Sequence, residues 1–327
     1  MTHLVPCSWL SGMSSAAQQD FALAFLGILF EGAPFILLGT LASGFIEVYL
    51  PKGVMDRFLP KNPIAAVFMA GLMGAILPVC ECAVVPVIRR LVKKGLPVSC
   101  ALTYMLAAPI VNPITALSTW KAFEGPHAWV MMFSRLILGY ALAVGVGLIV
   151  SRCKPAFILK AGVIPTEDQE IKASDCCEAG KCCQHEPSPQ GDRVVAAFRG
   201  TLKDFVDVGV YFTIGVTLTA LFNTGIAPGV EWLDGLAKSE AFSPVALMVL
   251  AFILSLCSTS DAFIAASLDK FSWGAKLAFL TFGPMLDLKL LFLYQTVLRK
   301  WFIALMAIGL VLSIWIASML WQKLLFP

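Results

Sequence analysis

The chain has 327 residues, of which 58% are hydrophobic and 14% charged, and its mean hydropathy is +0.82. Soluble globular domains carry about 25% charged residues, so this composition excludes a soluble fold and indicates a membrane protein. The formal net charge of +3 is too small to indicate a nucleic-acid partner, because Lys and Arg lie at the ends of apolar segments rather than in one patch.

Apolar segments follow one another along the chain. Residues 1–20 lack the basic region of a cleavable signal peptide, so we expect this N-terminal segment to remain. Five segments have the length of a spanning helix: 21–48, 128–150, 200–222, 275–298 and 301–322. Five shorter apolar runs, most with a proline, lie at 63–79, 82–92, 97–119, 244–256 and 259–269. The sequence therefore predicts an all-α polytopic membrane protein with about eight to ten membrane segments, some broken or re-entrant.

Basic residues at the segment ends predict the orientation, because cytoplasmic loops carry the excess of Lys and Arg. They cluster at three places: Lys52, Arg57, Lys61; Arg89, Arg90, Lys93, Lys94; and Arg152, Lys154, Lys160. All three places are cytoplasmic if the N-terminus lies outside, although Asp269-Lys270 then falls at an outer end. We expect a multi-pass protein of the inner (plasma) membrane with a cytoplasmic central loop.

The two halves of the chain echo each other. Three landmarks keep register at offsets of 176, 177 and 175 residues: Glu31 to Gly39 with Asp207 to Gly215, Leu77 to Cys80 with Leu254 to Cys257, and Pro109 to Asn112 with Pro284 to Asp287. An odd number of crossings per half would invert the second copy, as in secondary transporters whose substrate site lies where broken helices meet. The alternative is that Gly and Pro only kink packed helices.

This repeat predicts four regions. They are an N-terminal segment at 1–20, a first membrane repeat at 21–151, a cytoplasmic cysteine-rich linker at 152–198, and a second membrane repeat at 199–327.

Cys80-Glu81-Cys82 lies inside an apolar stretch, where ionisable residues are costly and indicate function. If the repeats face each other, Cys80, Cys82 and Cys257 form a three-sulfur site with Glu81 and Asp261 nearby. Three thiolates suit Cu(I) or trivalent arsenic, and an added oxygen ligand completes the tetrahedron that Zn(II) prefers. Cysteine is also buried simply for packing, which is the interpretation we prefer for Cys100 and Cys153.

Further polar residues interrupt apolar runs and are candidates for a proton or charge relay. They are Glu31, Asp207, Asp261, Asn112 and Asp287. The alternative for Asp287 is a structural pair with Lys289 or a cluster at a helix end.

The segment from about 152 to 195 is charged and poor in large apolar residues, which predicts a flexible cytoplasmic linker. It contains two adjacent thiol pairs and a histidine: Cys176, Cys177, Cys182, Cys183 and His185. Thiols in a reducing cytosol favour metal binding over disulfides, so we interpret this group as a metal-capture site. The chain has no phosphate-binding loop motif, which leaves proton coupling or facilitation to drive transport, with a partner ATPase still open.

The string Leu77-Pro-Val-Cys-Glu-Cys-Ala-Val-Val-Pro86, followed by Gly95-Leu-Pro97 and Ala107-Ala-Pro-Ile-Val-Asn-Pro113, resembles the predicted permeases that include the organoarsenical efflux protein ArsP. The likeness covers most of the chain outside the central loop. The Cys-Glu-Cys form is most similar to the branch described as copper and zinc efflux transporters, whereas many relatives carry Cys-Ser-Cys or Cys-Gly there. The resemblance implies export.

The primary hypothesis is therefore a permease, not an enzyme, that exports Cu or Zn ions through a Cys/Glu site. The alternatives are efflux of trivalent arsenic or organoarsenicals, and a membrane thiol oxidoreductase. A sensor with a membrane anchor is disfavoured, because an anchor does not need a duplicated core lined by polar residues. We expect no tightly bound cofactor beyond the transported ion. The expected partners are the lipid bilayer, metal ions and a cytosolic metal chaperone, without nucleic acid, and the sequence leaves the oligomeric state open.

Overall fold

The computed structural model describes residues 15–49, 60, 62–76, 81–160, 190–226, 242–268 and 270–325. Regular structure in these residues is helical, apart from one bridge between Leu159 and Leu298. The helices are α1 Ser15–Tyr49, α2 Pro63–Ile76, α3 Glu81–Lys93, α4 Val98–Ala107, α5 Pro113–Ala122, α6 Ala128–Val150, α7 Pro155–Ile158, α8 Gln190–Ile226, α9 Ser243–Leu254, α10 Ser260–Ser267, α11 Trp273–Met285, α12 Leu288–Tyr294 and α13 Lys300–Leu325.

Four helical stretches of the described residues are long and apolar enough to cross a membrane. They are Gln18–Leu41 in α1, Ala128–Val150, Trp273–Tyr294 across α11 and α12, and Lys300–Leu325. Large apolar side chains project from the outer surface, as Leu23 and Phe30 do with 70% of their area exposed. Such a surface suits lipid rather than water, and the prediction of an all-α polytopic membrane protein is confirmed.

Two of the predicted segments are each divided into two helices. The segment 97–119 contains α4 and most of α5, and the segment 275–298 contains most of α11 and the whole of α12. The segment predicted at 275–298 is long and apolar enough to cross a membrane, but it consists of two consecutive helices. The backbone leaves the helix at Leu286 and Asp287, which are both extended. The Asp287 carboxylate then accepts the Leu290 N–H at 2.6 Å, which starts a new helix in place of continuing the old one.

The helix order of the first half returns in the second. Helices α1 to α6 correspond in sequence to α8 to α13. Among the described residues, both halves have a long helix followed by four short ones and a long one. The packing also repeats, because α4 contacts α2, α3 and α6, and α11 contacts α9, α10 and α13. Corresponding helices meet in three pairs: α1 with α8, α4 with α11, and α6 with α13. Reciprocal contacts of this kind indicate a pseudo-two-fold relation; the inversion and the domain boundaries stay predictions.

The deepest part of the core is α11, in which every residue from Gly274 to Met285 is buried. Helices of both halves surround it, since α4, α6, α9, α10 and α13 all contact it. The four half-length helices α3, α5, α10 and α12 hold 7 to 13 residues each, which corresponds to about 10–20 Å at 1.5 Å per residue. Each is therefore too short to cross a bilayer alone, and the residues at its N-terminal end, Glu81, Asn112, Asp261 or Asp287, are buried.

The ends of the predicted central linker are described, whereas residues 161–189 lie outside the described part. Helix α7 lies just before this gap, and Leu159 next to it pairs with Leu298 before α13. Helix α8 begins at Gln190, so its first nine residues, 190–198, fall in the range assigned to the linker.

Candidate functional site between the two halves

Two crossed junctions connect the halves at their broken helices. In the first junction, α3 of the first half packs on α12 of the second; in the second junction, α10 of the second half packs on α5 of the first. Each junction carries a buried acid in the first turn of a helix, Glu81 in α3 and Asp261 in α10. Acids in this position interact favourably with the helix dipole. The two junctions thus have the same design, with each half presenting a carboxylate to the other.

The first junction is centred on the Lys289 ammonium, which is held by both halves. Its Nζ lies 3.1 Å from Glu81 Oε1 and 3.4 Å from Asp287 Oδ2. It also donates to the backbone carbonyls of Ser255 and Leu256, each at 3.0 Å. Glu81 and Lys289 are only 2% and 3% exposed. A buried base with two acids and two carbonyls is well compensated, which is what burial of a charge requires.

The carbonyls at this junction are available because α9 stops there. Ser255 follows the last residue of α9 and adopts the left-handed conformation, with φ 46° and ψ 47°. Ser255 and Leu256 follow the last helical residue, so the helix provides no partner for their carbonyls, and Lys289 donates to both. The Ser255 hydroxyl also accepts the Leu288 N–H at 3.0 Å. The end of α9 and the start of α12 are therefore fixed to each other around Lys289.

The second junction is centred on Arg135 of α6, whose side chain is 1% exposed. Its guanidinium donates to Thr119 Oγ1 at 2.8 Å and to the Ser258 carbonyl at 3.0 Å. The same group lies 3.5 Å from Asp261 Oδ2. Thr115 Oγ1 and Ser258 Oγ approach to 3.4 Å beside it. Here a base of the first half compensates an acid of the second, the reverse of the first junction.

The two junctions together have more acids than bases. Glu81, Asp261 and Asp287 face Lys289 and Arg135, which leaves one negative charge in excess when all five groups are ionised. Within the described residues, Glu81 Oε2 has no hydrogen-bond partner. An unfilled carboxylate oxygen in a buried position is costly, and its lone pairs can accept a hydrogen bond or bind a cation.

Two of the predicted sulfur ligands lie around the first junction. Cys82 is buried next to Glu81 in α3, and Cys257 follows Leu256, whose carbonyl accepts from Lys289. Thr259 Oγ1 donates to Cys257 Sγ at 3.6 Å. No group of three or more Cys, His, Asp or Glu side chains arranged to hold a metal occurs among the described residues. Cys80 lies outside them, so the three-sulfur site stays a prediction.

The remaining predicted residues divide into three groups. Asn112 accepts the Ile114 N–H at 3.0 Å and so caps α5, as Asp287 caps α12. Asp287 also forms the predicted structural pair with Lys289, and its part in a relay stays a prediction. Glu31 and Asp207 lie on α1 and α8, with side chains outside the described part. The loop residues Cys176, Cys177, Cys182, Cys183 and His185 also lie outside it.

Sequence reasoning missed Arg135 and did not pair Lys289 with Glu81. Arg135 interrupts the apolar run 128–150, and a charged residue in such a run is itself a signal of function. The partnership of Glu81 with Lys289 joins positions 208 residues apart, so local patterns do not predict it.

Two repeat-related glycines bring the long helices close to the first junction. A Cβ placed on Gly39 of α1 would lie 2.7 Å from Ala83 Cβ in α3. A Cβ on Gly215 of α8 would lie 2.8 Å from the Cα of Lys289. These are the glycines that the repeat aligns, and they allow α1 and α8 to contact α3 and α12 at backbone distance.

The comparison with known proteins agrees with this architecture. The family model ArsP_1, described as a predicted permease, matches residues 18–323. The UPF0718 protein YcgR of Bacillus subtilis is 34% identical over 300 residues, which cover 90% of this chain and 95% of that protein. A protein of Streptococcus mutans called a putative two-component membrane permease complex subunit is 32% identical over 292 residues, with 89% and 91% covered.

A shorter match, to the UPF0718 protein MJ0584 of Methanocaldococcus jannaschii, is 28% identical over 88 residues, covering 27% of this chain and 24% of that protein. No solved structure matches the chain. The family match spans nearly the whole chain and includes both halves, both junctions and the helices that carry them. The chain therefore belongs to the ArsP_1 family of predicted permeases and is a multi-pass membrane permease.

Proposed function

We propose that this permease exports soft metal ions, Cu(I) or Zn(II), across the inner membrane, and that the ion passes the first junction. The observation that carries the proposal is that each half has a cysteine directly after a residue that contacts the buried Lys289. Cys82 follows Glu81, and Cys257 follows Leu256. Thiolates are the ligands that select Cu(I) and Zn(II). Cys80 supplies a third sulfur in this proposal, and the cysteine-rich central loop gathers the ion on the cytoplasmic side.

The charges at the junction favour a cation of low charge. Glu81 is paired with Lys289, so a metal that uses the carboxylate must compete with the ammonium. Metal binding to thiols releases their protons, so the proposal requires a proton acceptor near the two sulfurs. Cu(I) is the ion that this arrangement suits best.

Export of trivalent arsenic or organoarsenicals is the second candidate function. One observation favours it: Glu81 and Asp261 both lie within ion-pair distance of a base, Lys289 and Arg135 respectively. A cargo held by sulfur alone leaves these pairs intact, whereas a metal that needs an oxygen ligand disturbs them.

The name of the Streptococcus mutans relative describes one subunit of a two-component complex, so a second membrane subunit is a candidate partner for this chain as well.

Tolerance assays in cells that lack other exporters test the proposal. Cells expressing the chain with Cys82→Ser or Cys257→Ser are challenged with copper, zinc, arsenite and methylarsenite. Cys100→Ser and Cys153→Ser are matched controls, because Cys100 is buried in α4 and Cys153 is exposed after α6. We expect the first two variants, at equal protein level, to lose tolerance and the controls to keep it. Unchanged tolerance to all four compounds contradicts the proposal.

Glu81→Gln separates the two candidate cargoes. The change keeps the size of the side chain and removes its charge. Loss of copper or zinc tolerance in this variant supports a metal cation that uses the carboxylate. If Glu81→Gln keeps tolerance to the arsenicals while Cys82→Ser and Cys257→Ser lose it, the result supports a cargo bound by sulfur alone.

A further inference from the structure

The Lys289 ammonium occupies a cage of oxygens built from three separate segments. Glu81 Oε1 comes from α3 at 3.1 Å, the carbonyls of Ser255 and Leu256 come from the end of α9 at 3.0 Å, and Asp287 Oδ2 comes from the cap of α12 at 3.4 Å. The Lys289 side chain is 4% exposed. Two carboxylates and two carbonyls around one point are oxygen ligands of the kind that also bind cations in solution.

Secondary transporters bind their coupling cations with this kind of ligand. Unwound backbone carbonyls and half-helix C-termini coordinate the ion, and carboxylates add charge. At the first junction the carbonyls come from a half-helix that ends at Leu254. The distances of 3.0 to 3.4 Å are those of an ammonium group held by hydrogen bonds and ion pairs, and they are longer than the roughly 2.3–2.6 Å of calcium sites. The cage therefore has the size for a larger ion of single charge, such as ammonium or potassium.

We propose that these four oxygens form a monovalent-cation site and that Lys289 fills it permanently with its own ammonium group. The tethered charge joins α3 of the first half to α9 and α12 of the second without need of a dissolved ion. When the side chain is shortened, an ammonium or potassium ion binds in its place. Lys289 is thus a positioning residue that acts through Glu81 and the broken end of α9.

The test measures the stability of the full chain in detergent and does not depend on the cargo. Wild type, Lys289→Ala and Lys289→Met are purified in potassium chloride and then exchanged into ammonium, potassium, sodium or choline chloride at one ionic strength. Alanine empties the cage, whereas methionine keeps most of the side-chain volume without the charge. Melting temperatures are recorded for each protein in each salt.

We expect wild type and Lys289→Met to melt at the same temperature in potassium and in choline. Lys289→Ala should melt about 3 °C higher in ammonium or potassium than in choline, as occupancy near ten times Kd gives. The double variant Glu81→Gln plus Lys289→Ala should lose most of that difference, because one of the two carboxylates of the cage is then neutral.

Three results would overturn the proposal. The first is a Lys289→Ala protein that responds to the small cations no more than to choline, and the second is an equal response by Lys289→Met. The third is a failure to recover folded Lys289→Ala from cells, since cytoplasmic potassium should fill the site. This proposal and the proposed function can fail separately. If Lys289→Ala responds to the small cations while Cys82→Ser and Cys257→Ser keep their metal and arsenical tolerance, this proposal stands and the proposed function is contradicted.

Discussion

Removal of the Arg135 side-chain charge tests the second junction. The expected loss of stability follows from the burial of the ion pair. Arg135→Met takes away the group at 3.5 Å from Asp261 and leaves that acid buried, while Thr119 and the Ser258 carbonyl each lose a donor. Breaking a buried pair by removing one partner costs about 3–5 kcal/mol. Asp261→Asn should cost less, because Arg135 keeps both of its hydrogen bonds. The double variant removes both charges and should be more stable than Arg135→Met alone.

The assay is thermal unfolding of the four purified proteins in detergent, followed by size-exclusion chromatography after heating. At about 2–4 °C per kcal/mol for a chain of this order of size, Arg135→Met should lower the melting temperature by about 6 °C or more. The double-mutant cycle should give an interaction energy of at least about 1 kcal/mol. Strictly additive effects of the two changes would refute the assignment of Arg135 and Asp261 as an interacting pair.

The remaining predictions concern the backbone around the junctions. Gly215→Ala should destabilise the protein by about 1–3 kcal/mol, because the added methyl would lie 2.8 Å from the backbone of α12. Gly209→Ala on the same helix is the control and should be neutral or stabilising, because nothing lies within 4 Å of its added methyl. Equal melting temperatures for the two variants would contradict the close approach of α8 to α12. Ser255→Ala should cost about 1–3 kcal/mol, because the Leu288 N–H loses its acceptor, and urea unfolding in mild detergent measures it. Asn112→Ala should cost about 1 kcal/mol through loss of the α5 cap, and faster hydrogen exchange at the start of α5 is the expected sign, with unchanged exchange counting against the cap.

Much of the fold could be predicted from composition and periodicity. The segments 128–150 and 301–322 correspond to α6 and α13 within a few residues, because long apolar helices are marked by length alone. The division of 275–298 was not predicted, since Asp287 in an apolar run indicates function before it indicates a helix cap. Its capping bond to Leu290 becomes visible only when the backbone is known.

The acidic residues of the candidate site could be predicted from the sequence, but their ion-pair partners could not. Glu81 and Asp261 were identified because acids are rare in lipid, and both are buried between the halves. Their partners were not, because Lys289 and Arg135 lie 208 and 126 residues away along the chain. Pairing across such distances depends on how the halves pack, which a single sequence with three aligned landmarks does not specify.

Transport in reconstituted vesicles tests the central claim most directly. The purified chain is placed in vesicles, and the movement of Cu(I), Zn(II) and methylarsenite is measured for wild type, for Cys82→Ser plus Cys257→Ser, and for the control Cys100→Ser. The account predicts that wild type and the control move at least one of these soft cargoes and that the double cysteine variant, equally folded, does not. Equal transport by the double cysteine variant and the wild type would contradict it.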